Sequence, residues 1–74
     1  MKRKRLLNKL AEEWYDLIIK TEKLIDFKYS KKFDELSENQ QNLLDIQLHI
    51  MQSYISVLSA RIDDLKGINN GKTE

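Results

Sequence analysis

From Leu44 onward, apolar side chains return every third or fourth position. Leu44, Leu48, Met51, Ile55, Leu58, Ile62 and Leu65 are spaced 4, 3, 4, 3, 4, 3. The mean repeat of about 3.5 residues is that of helices packed along their length. A second row lies beside this seam: Leu43, Gln47, Ile50, Tyr54, Val57 and Arg61. It is apolar at some steps and carries an amide, a phenol and a guanidinium at others. Such a helix has more apolar face than one neighbour covers.

The first part of the chain offers that neighbour. Leu7, Leu10, Trp14, Leu17, Thr21 and Leu24 repeat with spacings 3, 4, 3, 4, 3, and Ala11, Tyr15, Ile18, Glu22, Ile25 and Tyr29 flank them at the same step. The pattern predicts a first helix over about residues 3–28. Asp16 and Lys20 stand four apart in the favourable acid-first order. Residues 29–36, YSKKFDEL, break the period and have the length of a helix–helix connection. Phe33 and Leu36 are its apolar members, expected to fold back over the end of the pair. Ser37 opens S-E-N-Q, a capping box in which Ser37 accepts from the Gln40 amide and Gln40 reaches back. A second helix is predicted over about residues 37–66. Gly67 suits the left-handed position that ends it, and residues 67–74 read as a flexible C-terminal tail.

The expected fold is therefore all-α: one domain, residues 1–66, in which two long helices form an antiparallel helical hairpin. Two helices enclose no interior. The rows left over, with Ile18, Ile50 and Val57 among them, predict assembly into a helical homo-oligomer, a dimer at least.

Composition narrows the picture further. A chain of 74 residues buries little of its surface alone, and with no cysteine it has neither disulfides nor thiolate metal sites to help. Self-association is the remaining help. Proline is absent and glycine occurs only at 67 and 71, which suits helix throughout. The net charge of +1 gives no global pull on nucleic acid or anionic membrane. No apolar run approaches the ~20 residues of a membrane span. The chain is expected to be soluble and cytoplasmic. The one concentration of charge is Lys2, Arg3, Lys4 and Arg5. Four cations at a helix N-terminus oppose the macrodipole. They either fray as a solvated tail or meet an anion or a partner carboxylate.

Little in the chain supports catalysis. His49 with Asp45 four residues before it is at most half a metal site, and a surface histidine beside a carboxylate is the plainer reading. Ser53, Ser56 and Ser59 have no identifiable base and serve as small residues that let helices approach. Asp63 and Asp64 diverge by about 100° on a helix. No phosphate loop, cofactor site or metal set is expected, and the chain is not expected to be an enzyme. Gln47, Tyr54 and Arg61 are a different matter, lying in line two turns apart. An amide reads a base edge, a phenol stacks, and a guanidinium grips phosphate. The plainer alternative is interface packing, with Arg61 snorkelling past Ile62 to Asp64 or to a neighbouring subunit.

At this row the chain resembles a known family. Phe33-x-x-Leu36, then Leu43-Leu44-x-x-Gln47-x-x-x-Met51-x-x-Tyr54-x-x-x-Leu58-x-x-Arg61-Ile62, is similar to the helical hairpin domain of small phage sponge proteins that act against CBASS and Thoeris defence. The likeness covers about residues 29–65. It implies a non-enzymatic protein of the host cytoplasm that assembles into helical oligomers, hexamers among them. Its implied ligands are cyclic di- or trinucleotides or cyclic ADP-ribose isomers, held between protomers so that the defence effector never senses them. On this resemblance Arg61 is the phosphate ligand, and Tyr54 and Gln47 face the base or line the pocket. Lys20, Trp14 and Arg5 are further candidates from the first helix, where no matching motif guides the choice. Two other readings stand beside it: an oligomeric module docking a host or phage protein, and a small nucleic-acid binder using Lys2 to Arg5.

Overall fold

The structure is a computed structural model that describes residues 2–67. It is all-helical: α1 spans Lys2–Lys28, α2 Lys31–Asp34 and α3 Glu38–Lys66, with no strand among the described residues. The expected tail falls outside the described residues beyond Gly67. Arg3 meets Leu65, Glu13 meets Tyr54, and Lys28 meets Asp45, so α1 and α3 lie side by side in opposite directions. Together they make a rod of 52 × 23 × 15 Å.

The two 3.5-residue seams face each other. Leu10, Leu58 and Ile62 form the buried centre, with Leu7, Trp14, Leu17 and Leu65 packed against it. Leu58 is fully enclosed, at 0 % exposure. Thr21, the polar member of the α1 seam, is buried without cost because its hydroxyl donates to the Leu17 carbonyl at 2.7 Å, one turn back. The second row of α3 stays in water: Leu43, Ile50, Tyr54 and Val57 are all exposed. Ile18, expected among the exposed residues, is half-buried because it sits beside the α1 seam rather than opposite it. Ile46, which belongs to neither predicted row, is exposed instead.

The connection is more ordered than its broken periodicity suggested. Ser30 accepts from the Phe33 N–H and starts the single turn of α2. That turn drives Phe33 inward, edge-on to Phe27 with ring centroids 6.1 Å apart. Ser37 then caps α3 by accepting from Gln40 N at 3.1 Å. The Gln40 side chain makes no bond back among the described residues. Gln41 does the tying instead: its Nε2 donates to the carbonyls of Phe33, at 3.0 Å, and Leu36, at 3.2 Å. At the far end Gly67 takes φ 79°, the left-handed cap that a side chain would strain.

The basic run has a place in this architecture. Lys2 to Arg5 are helical, and the Arg3 Nε donates to the Leu65 carbonyl at 2.7 Å. The last carbonyls of a helix carry partial negative charge. Arg3 therefore answers the C-terminus of α3, while its own helix N-terminus lies beside it.

Candidate functional site

A groove of about 650 Å³ runs along one flank of the α1–α3 contact. Its floor is apolar, made by the buried Leu10 and half-buried Leu17 with the exposed Leu6 beside them, and the rest of its lining is polar. From α1 come Lys9, Glu12, Glu13, Asp16 and Lys20; from α3 come Tyr54 and Arg61. Helical spacing explains the set. Lys9, Glu13, Asp16 and Lys20 step 4, 3, 4 along α1, one strip to the side of its seam. Tyr54 and Arg61 lie two turns apart on the facing edge of α3.

The Tyr54 hydroxyl donates to the Glu13 carboxylate across the groove, between residues far apart in sequence. This bond, partial burial and the Glu13 charge push the phenol above its ordinary value, while Arg61 acts in the opposite direction. A phenol pKa raised in this way stabilises the fold only while the group is protonated. The contribution is complete below the ordinary tyrosine value of about 10 and is lost as pH rises through the higher folded-state value. Alkaline titration followed by tyrosinate absorbance, in a Tyr15→Phe/Tyr29→Phe background, is expected to show Tyr54 ionising above a free tyrosine. Glu13→Gln should bring it back toward the ordinary range; an unmoved titration would mean that the bond is not held in solution.

Arg61 makes no hydrogen bond or ion pair among the described residues. Nor do Asp16 and Lys20 form the expected i,i+4 pair; both point along the groove rim. Lys28 and Asp45, 2.6 Å apart, make the one ion pair among the described residues, and it lies at the other end of the rod. The groove thus offers three cations and three carboxylates around an apolar floor, with its guanidinium uncommitted.

Of the residues singled out from sequence, Arg61, Tyr54 and Lys20 meet in this groove. Trp14 lies on the opposite flank, in a smaller recess of about 280 Å³ with Ala11, Ser59, Ile62 and Asp63. Its Nε1 is shut off from water without an acceptor. Gln47 is exposed, with its amide 3.9 Å from the Met51 sulfur, and lines neither recess. Arg5 is exposed and likewise lines neither. His49 Nδ1 lies 3.0 Å from the Asp45 carbonyl, close enough for an Nδ1–H to donate to it, while the Asp45 carboxylate is taken by Lys28. Sequence reasoning passed over Lys9 and Glu13. Their strip, in step with Lys20, was the available signal.

Against protein-family models, residues 4–64 match the family described as Sequestin. The chain belongs to the Sequestin family. The matched stretch takes in nearly all of α1 and α3 and every residue lining both recesses of this Sequestin chain. No curated protein and no solved structure matches the chain. Among the described residues of the Sequestin chain, no helix is long and apolar enough to cross a membrane.

Proposed function

We propose that this chain is a non-enzymatic sponge of the host cytoplasm. It binds and sequesters cyclic di- or trinucleotides, or cyclic ADP-ribose-type signals, and so blocks anti-phage defence. The family's name speaks for sequestration. The observation that carries the ligand class is Arg61, a guanidinium without a partner among the described residues, at the rim of an apolar-floored groove shared with Tyr54 and Lys20. A guanidinium in that setting suits a phosphate, and the floor with the Tyr54 ring suits a base. In this reading the antiparallel pair is the hairpin unit of a homo-oligomer, and further phosphate and base ligands, Gln47, Trp14 and Arg5 among the candidates, come from neighbouring copies.

The carboxylates set a condition. Glu12, Glu13 and Asp16 balance Lys9, Lys20 and Arg61, so one groove alone has no net attraction for an anion. Binding therefore depends on directed contacts and on what neighbouring copies add. Calorimetry against a panel of cyclic dinucleotides, cyclic trinucleotides and cyclic ADP-ribose isomers is expected to find at least one ligand at micromolar concentration or tighter. Silence across the panel, together with stoichiometric capture of a host or phage protein, would replace the sponge with an interaction module.

A further inference from the structure

The outer face of α3 is more peculiar than its exposed leucine and isoleucines alone suggest. From Ile46 to Ala60 the helix has no Asp, Glu, Lys or Arg on any side, in a chain that is 34 % charged. Only one side of this stretch touches α1. Opposite that side, Leu43, Ile46, Ile50, Ser53, Val57 and Ala60 follow one another at 3, 4, 3, 4, 3. This is a second heptad seam, and it faces water: Leu43 is 48 %, Ile46 54 %, Ile50 62 % and Val57 52 % exposed, and Ser53 and Ala60 are exposed as well. A solvated helix face normally carries charge; absence of charge together with a heptad step is the mark of a covered one.

We infer that α3 packs through this seam against α3 of a second copy, antiparallel and about a two-fold axis, with Leu43, Ile46 and Ile50 opposite Ala60, Val57 and Ser53 of that copy. The orientation follows from size. In an antiparallel pair, the layers Leu43–Ala60, Ile46–Val57 and Ile50–Ser53 all share one register. Two of them set a large side chain against a small one, and the same register repeats by symmetry on the other half. A parallel pair would stack Leu43 on Leu43 and Ala60 on Ala60, leaving one end crowded and the other hollow. A seam that complements itself is suited to its own copy, and its lack of charge offers nothing to select a charged partner. The area is close to sufficient. Four half-exposed aliphatic side chains and the two small residues of the seam bury roughly 400–500 Å² per copy, which approaches the ~1,000 Å² total of a specific interface.

This pairing deepens the proposed function, on whose homo-oligomer it rests. Going round α3, the order is α1, then the line Gln47, Tyr54 and Arg61, then the second copy. A two-fold of this kind places both copies' lines on the same side, running in opposite senses. The second copy's Gln47 edge then forms the far wall of each groove, which supplies a role for a residue that lines neither recess in a single chain.

The chain has no native cysteine, so the register is open to direct reading. Leu43→Cys and Ala60→Cys are prepared separately, then oxidised alone and as a mixture. The expected result is a disulfide-linked dimer in the mixture and none above background in either variant alone, because like positions lie about 25 Å apart along an antiparallel pair. Dimers in each variant alone and not in the mixture would show parallel packing and overturn the proposal. An oligomeric mass with no cross-link in any sample would place the contact on another face and equally overturn it. A monomeric mass would remove the homo-oligomer altogether. Ligand binding in the calorimetric panel stands apart from all of these outcomes, so the two readings fail separately.

Discussion

Leu58→Ala is expected to remove most of the cooperative stability of the fold. Leu58 is the single fully enclosed side chain among the described residues, and the buried centre around it consists otherwise of Leu10 and Ile62. Truncating a buried leucine costs about 2–5 kcal/mol, through lost transfer energy and through the cavity left behind. Cores of this size supply only about 3–5 kcal/mol in all. The substitution therefore competes with the whole stability of the domain. Urea unfolding followed by far-ultraviolet circular dichroism checks this, at fixed protein concentration because self-association adds to apparent stability. The expected outcome is a midpoint displaced far to lower denaturant, or helix lost before denaturant is added. Ile50→Ala in the same assay should leave the single-chain core intact, since Ile50 lies on the uncovered face. Equal losses from the two substitutions, at a protein concentration where both variants are monomeric, would show that the core is not centred on Leu58.

Arg61→Ala is expected to lower affinity for the nucleotide found in the panel by roughly 30- to 150-fold, the equivalent of about 2–3 kcal/mol for a lost charge-assisted contact. Helicity and molecular mass should not change, because the side chain makes no bond among the described residues. Arg61→Lys should recover part of the affinity, since an ammonium restores charge without the two-pronged geometry. Titration calorimetry and light scattering on the same samples separate the outcomes. Dissociation of the Arg61→Ala variant would assign Arg61 to packing between copies. Unchanged affinity with unchanged mass would move the phosphate site elsewhere, to Lys9 or Lys20.

Much of this architecture was legible in the chain because helices encode their contacts locally. All seven members of the Leu44–Leu65 seam are buried or half-buried, as are Leu7, Leu10, Trp14, Leu17, Thr21 and Leu24 on α1. A 3.5-residue repeat leaves such a residue one direction to point. The caps at Ser37 and Gly67 were equally local. Features with no periodicity were harder to read. Four residues of α2 are too few to show a repeat, so Ser30 and the inward turn of Phe33 emerged only from the structure. Arg3 on Leu65 and Tyr54 on Glu13 join residues far apart in sequence, and nothing at either position announces the other. The line of Gln47, Tyr54 and Arg61 was visible as spacing. What lies opposite it was not: the groove needed α1 in place before Lys9, Glu13 and Lys20 came to face Tyr54 and Arg61.

The bond from Arg3 to the Leu65 carbonyl has a practical meaning beyond capping. It brings the two ends of the described chain to one pole of the rod and leaves α2 alone at the other. Lys2 and Gly67 therefore sit at the same pole. Two fluorophores attached at these points would lie close enough for energy transfer within one molecule, giving an optical gauge of whether the pair is closed. The opposite pole, carrying only a capped turn, remains free for tethering the molecule to a surface without disturbing either end.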